Sequence, residues 1–421
     1  MRTILRIRPL RLVFTANIIS MMGSGMNSAA VMWFILQTTH SEVALAMLVV
    51  LQTIPSMLML PFTGVIIDRE DRRHLVMLLD GARAIIILTV AVLALQGRVQ
   101  VWHLYVMNTL VQLGFWMFWP TINALVQELT PEVEYVNSNT LLMAGIQGGF
   151  LLSGAVVGFV YNHIHLGGVL LIDFCTYLVS LACYLRVRKG RHVVARSPEV
   201  FHGADTALAR YLYEMREGIR YLRHQRQALL LGVSWSLYLG AMMASTVVMA
   251  PLSDRILHAG AVGFGLIYGG WGLGAFLSAF YVPTLIRRMG ARRALQIAMA
   301  VLAVGIFIIP YSHLVPLAVL IYMSMGSARG VGGISISSSM MHLVPKHFMG
   351  RVQNTFFFAG TALQICLALA CGFIAHRVSL TAAFALLGVV YAFAFLASVA
   401  PVPAVVDTSE PAAVTAVELA E

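Results

Sequence analysis

The sequence predicts an all-α polytopic membrane protein, with twelve transmembrane helices arranged as two pseudo-symmetric halves of six. Three observations carry this expectation: the apolar content, the spacing of its interruptions, and an internal repeat. Of 421 residues, 59% are hydrophobic, and the mean hydropathy is +0.83. That apolar stock is too large for a soluble core and suits about twelve spans of roughly 21 residues. With only 28 basic and 18 acidic residues, the composition excludes secreted, fibrous and disordered classes. Cys175, Cys183, Cys366 and Cys371 all fall inside apolar runs, where packed thiols are expected rather than disulfides or metal ligands.

The elements follow from the apolar runs and their breaks. The first run begins after Arg11 and continues to about Leu36 without a cleavage pattern, so it reads as a retained first span rather than a signal peptide. Spans are expected near 12–36, 43–66, 75–95, 101–127, 138–162 and 165–187, and then near 227–251, 261–286, 294–311, 315–341, 351–376 and 379–400. Between the sets, a segment from Asp205 to His224 places Leu208, Tyr211, Leu212, Met215, Ile219 and Leu222 at helical spacing among Arg216, Arg220 and Arg223. This is the pattern of an amphipathic interfacial helix. The expected organisation is an N-terminal half over 1–187, a cytoplasmic linker over 188–226, a C-terminal half over 227–400 and a disordered, acidic cytoplasmic tail over 401–421.

Charge sets the expected orientation. With both termini on one side, that side holds 23 of the basic residues, and the opposite side holds only Arg98, Arg255 and Arg377. Under the positive-inside rule both termini are expected to be cytoplasmic. The net charge of +10 is then topological, facing anionic lipid and not nucleic acid.

The repeat appears in the loops. Gly64-Val-Ile-Ile-Asp-Arg-Glu-Asp-Arg-Arg73 is echoed by Thr284-Leu-Ile-Arg-Arg-Met-Gly-Ala-Arg-Arg293, and Thr130-Pro-Glu-Val-Glu-Tyr-Val-Asn137 by Val344-Pro-Lys-His-Phe-Met-Gly-Arg351. Both pairs lie about half a chain apart, as expected for two parallel six-span halves. The Gly-x-x-x-Asp-Arg-x-x-Arg-Arg segment resembles the loop signature of the major facilitator superfamily. Together with Phe118-Trp-Pro-Thr121 and Leu343-Val-Pro-Lys-His-Phe-Met-Gly-Arg-Val352, it is similar to the branch of drug:proton antiporters containing enterobactin exporters and macrolide-efflux proteins. Two features depart from that pattern. Gly149-Phe-Leu-Leu-Ser-Gly-Ala-Val-Val-Gly158 has no proline where many antiporters have Gly-Pro, and Val111-Gln-Leu-Gly114 in span 4 has no arginine.

The resemblance implies the major facilitator fold, a bacterial inner-membrane location, and a cavity lined by spans 1, 4, 7 and 10. Each of these spans has a polar stripe. The candidate cavity residues are Asn17, Ser24, Asn27, Asn108, Gln112, Trp116, Trp119, Asn123, Tyr238, Tyr322 and Arg329. Arg329 stands near mid-membrane, where an arginine costs roughly 2.5 kcal/mol or more unless it faces water, an acid or an anionic ligand. Gly64, Asp68, Arg69, Arg72, Arg73, Arg287, Arg288, Arg292 and Arg293 are candidates for a gate that latches one half against the other. A purely topological basic loop is the plainer alternative.

Asp80 and Arg83, at i and i+3, are expected to pair. Asp173 is the best intramembrane carboxylate for proton coupling, and Glu128 and His103 are weaker candidates. Glycines in spans 5 and 8 suit a close, sliding interface.

With no phosphate-binding loop, metal-ligand cluster or nucleophile-base set, no cofactor is expected and enzymatic activity is not. The leading reading is a monomeric secondary transporter that exports an amphipathic small molecule, a siderophore or a drug such as a macrolide, in exchange for protons. The partners are substrate, protons and membrane lipid. An importer or uniporter is the second reading, and a membrane-embedded enzyme or sensor is the rival from another class.

Overall fold

The computed structural model describes residues 7–69, 71–131, 134–187 and 207–400. Every regular element among them is helical. The N-terminal half comprises α1 (Arg8–Thr39), α2 (Glu42–Arg69), α3 (Arg72–Leu95), α4 (Val101–Leu129) and α5 (Tyr135–Leu185). The amphipathic α6 (Ala207–His224) follows. The C-terminal half comprises α7 (Arg226–Ala244), α8 (Thr246–Pro251), α9 (Gly260–Met289), α10 (Ala291–Ile308), α11 (Val315–Leu343), α12 (Lys346–Arg377) and α13 (Leu380–Val399).

Ten helical segments among the described residues are long and apolar enough to cross a membrane. The 29-residue α4 matches them in length, but its polar stripe lowers its hydropathy. The first arm of α5 contributes the shorter apolar stretch Leu141–Gly154. With α5 counted as two arms, the architecture is consistent with twelve spans.

One expected boundary differs. Spans 5 and 6 are not separated by a loop at 163–164, because α5 is continuous except at His165, whose φ of 53° and ψ of −170° are non-helical. The arms run in opposite directions. Along the first, Gly145 meets Ile18 and Gly149 meets Met21; along the second, Tyr177 meets Ser24 and Asp173 meets Asn27. One left-handed residue therefore makes the entire hairpin. The expected span 227–251 is one membrane-length segment over Arg226–Ile256, in which α7 passes into α8 at Ser245 with helical φ and ψ and ends in a π turn over Leu252–Ile256. At that junction the hydroxyls of Ser245 and Thr246 donate to the carbonyls of Met242 and Met243 at 2.7 and 2.8 Å. Such back-bonding competes with the helical ladder.

The repeat is also visible in bonding. Arg73 donates to the carbonyls of Tyr184 and Leu185 at the end of α5, at 2.9 and 2.8 Å. Arg292 does the same for Val399 and Ala400 at the end of α13, at 3.4 and 3.0 Å. Each half thus satisfies the orphan carbonyls of its last span with an arginine from its third.

The halves meet along α5 and α9. A Cβ on Gly154 would collide with the backbone of Gly269; on Gly265 it would stand 2.9 Å from the Gly158 nitrogen, and on Gly272 2.9 Å from the Leu151 Cα. Here backbone lies against backbone with no intervening side chain, as expected for the glycine-rich spans.

Candidate functional site

Two polar groups form in the interior, one in each half, and they approach each other at the seam. The C-terminal group surrounds Arg329, which lies on α11 and is half-buried. Its guanidinium faces the Tyr238 hydroxyl of α7 and acts on Tyr268 of α9, whose hydroxyl lies near Ser28 of α1. The Tyr238 hydroxyl donates to the Met242 sulfur at 3.2 Å. Tyr322 lies near Ser245 and packs its ring 4.8 Å from that of Trp271. Arg329 therefore faces tyrosines from two helices of its own half, one of which lies near a hydroxyl of the other half.

The N-terminal group is centred on Arg83, the largest fully buried side chain. Its guanidinium is paired with Asp80 and lies 4.5 Å from the ring centroid of Phe118 and 4.9 Å from that of Tyr177. Asp80 accepts a second bond from Ser180 at 2.7 Å. Asp173, fully buried, accepts from Asn27 of α1 at 2.7 Å and from Thr176 at 3.4 Å. Gly23 makes this approach possible, since a Cβ there would stand 2.6 Å from the Asp173 carboxylate. Ser24 and Tyr177 share a bond of 2.9 Å. Spacing showed the Asp80–Arg83 pair. The link from Asp173 to Asn27 spans 146 residues, and no local pattern reveals it.

The remaining cavity candidates divide by environment. Asn17 is buried against α5, donating to the Leu142 carbonyl at 3.5 Å, and with Asn27 it faces the inside of its own half. Asn108 and Asn123 donate to carbonyls one turn back in α4, at 3.1 and 2.7 Å. Gln112 and Trp119 are half-buried. Trp116 reaches the opposite half, its ring 5.2 Å from that of Phe357 on α12.

Of the gate candidates, Gly64, Asp68 and Arg69 lie in the last turns of α2, and their side chains fall outside the described residues. Arg72 forms an ion pair with Glu128 at 2.7 Å, and Arg73 and Arg292 cap helix ends. Arg287 bonds Thr284 at 3.2 Å, while Arg288 and Arg293 are exposed. Glu128 is therefore held by an arginine. His103 accepts the Gln100 N–H at 2.9 Å and stacks 3.8 Å from Trp102, as a cap of α4. Sequence reasoning missed Glu42 and His376, which pair across the seam at 3.4 Å. The available signal was an acid directly before an apolar run.

Among the described residues, no group of three or more His, Cys, Asp or Glu is placed to hold a metal ion. The family model described as Major Facilitator Superfamily matches residues 13–369. The chain is similar to the MFS-type transporter YkuC of Bacillus subtilis, 23% identical and covering 81% of this chain and 80% of that protein. It is also 20% identical to Macrolide efflux protein A of Streptococcus pyogenes, over 57% of this chain and 58% of that one. The fold matches that of a mutant of the nucleoside transporter NupG, with a TM-score of 0.72, 15% identity, and 94% and 100% of the two chains covered. It also matches a bacterial homologue of the iron transporter ferroportin in an inward-facing state, with a TM-score of 0.66, 16% identity, and 93% and 99% covered.

Proposed function

Since the chain belongs to the Major Facilitator Superfamily, we propose that it is a proton-coupled exporter of an amphipathic small molecule, working by alternating access. The observation that carries this reading is Arg329 facing Tyr238 and Tyr268, with Ser28 of the other half near Tyr268 and the Trp271–Tyr322 ring pair on the same helices α9 and α11. Aromatic faces take the apolar body of a substrate, and a single cation with hydroxyls selects a polar or anionic part. Similarity to a macrolide efflux protein supports export of a drug-like compound, and a siderophore has the same amphipathic character. The end of the bundle that holds the termini, with its excess of arginine, is the cytoplasmic side of a bacterial inner membrane in this reading. There Asp68 and the arginines of both repeat loops are the proposed gate between the halves, whose described bonds, Arg72 to Glu128 and the caps made by Arg73 and Arg292, lie within each half.

Asp173 is the proposed proton carrier. Its carboxylate accepts from Asn27 on α1, so its protonation weakens a bond to the helix whose Ser28 lies near Tyr268 at the Arg329 site. In everted vesicles, an imposed proton gradient should drive uptake of a macrolide-like probe, and an uncoupler should abolish it. Asp173→Asn should keep probe binding and lose gradient dependence. Full gradient-driven uptake in that variant would remove Asp173 from the mechanism. The second reading, an importer or uniporter, is favoured by one observation: the central portions of α1, α4, α7 and α11 contain no Asp or Glu. Equal, uncoupler-insensitive flux in both directions would establish it.

A further inference from the structure

Glu42 opens α2 at the end of the bundle opposite the termini, and it is fully buried. Its side-chain partners come from the other half. Arg255, in the π turn after α8, places Nη1 2.5 Å from Oε1, and His376, near the end of α12, places Nδ1 3.4 Å from Oε2. The second arginine nitrogen donates to the His40 carbonyl at 3.1 Å. His40 is the left-handed cap of α1, so one guanidinium holds both sides of the α1–α2 corner. Gly372 lets α12 lie directly on this corner, since a Cβ there would stand 3.0 Å from the Glu42 carbonyl oxygen.

A buried carboxylate is tolerated only while paired, and neither half alone supplies the pair. Separation at this end must therefore break the ion pair to Arg255 and the contact to His376, and hydrate Glu42. The device is one-sided: positions 256–261, where the repeat offsets place the equivalent of Glu42, carry no acid.

We propose that Glu42, Arg255 and His376 form an ionic latch that holds this end closed and is broken each time the transporter opens there. The proposal rests on alternating access alone and not on the identity of the substrate or coupling ion. Thr53 is a suitable reporter, because it is buried on α2 and accepts from Gln364 of α12 at 3.0 Å across the same seam. In full-length protein carrying Thr53→Cys, with exposed Cys175 and Cys366 replaced by serine, a membrane-impermeant maleimide is applied from the latch side. Glu42→Gln and Arg255→Ala should each raise the labelling rate about tenfold, as a closed-to-open shift requires. Arg255→Lys should stay slow because it keeps the charge. Labelling needs no transport, so this outcome is independent of whether the exporter reading holds. If Arg255→Ala, at parental abundance, labels as slowly as the parent, the latch is refuted. If Arg255→Lys labels as fast as Arg255→Ala, packing rather than charge closes this end and the proposal falls. Arg255 is 41% exposed, so its variants decide the question even where Glu42→Gln is poorly inserted.

Discussion

Arg83 and Arg329 are both intramembrane arginines, but their surroundings differ. Arg83 is fully enclosed, paired with Asp80 and flanked by two rings, so Arg83→Ala leaves an uncompensated buried carboxylate and should cost roughly 3–5 kcal/mol. Thermal unfolding in detergent measures this, and Asp80→Asn with Arg83→Met should recover part of the loss. Arg329 is only half-buried and carries no carboxylate partner among the described residues. Arg329→Ala should weaken binding of an anionic probe by about tenfold or more while sparing a neutral one, and Arg329→Lys should retain part of the affinity without the planar fork. Equal loss for both probes, with a lowered melting temperature, would mark it as structural. Arg83 and its partner were legible in the sequence because i, i+3 spacing is local. Asn27 was legible only as polar. Its bond to Asp173 depends on how α5 folds back along α1, which no stretch of sequence encodes by itself.

At the scale of helices, the glycine contact between α5 and α9 sets how closely the halves can approach. Gly154→Leu would force the two backbones apart, so it should leave insertion and abundance near parental while transport falls at least about tenfold, since misplaced elements carry that scale of penalty. Normal transport by this variant would show that the contact loosens freely. The glycine runs announced this interface, and the apolar runs announced the spans. The breaks were less legible. Asn-His-Ile-His before Gly167 suggests a loop by composition, yet the reversal is made at His165 alone, because local polarity does not say how many residues a turn needs.

For the whole molecule, the bias of 23 basic residues to 3 predicts that a fluorescent protein fused after residue 400 fluoresces, while alkaline phosphatase fused at residue 98 is active. The reverse pattern would invert the orientation and exchange the sides on which gate and latch operate. The two-half organisation was legible from loop motifs repeated at half-chain offset, and the arginine caps of α5 and α13 give it a bonded counterpart. What the repeat hides is asymmetry. The buried carboxylates Asp80 and Asp173 lie in one half and Arg329 in the other.

The single-residue reversal at His165 also bears on how the protein can be tagged. An epitope inserted at 165 has no slack to occupy and must unwind a turn of one arm, pulling the first arm off α9 or Asp173 away from Asn27. The connection at 96–100 is different, because Gly97 already adopts a left-handed φ of 68° and a Cβ there would meet no atom within 4 Å. Surface tags for imaging or purification therefore belong at 97, and one placed at 165 should abolish coupling even when the tag itself is displayed.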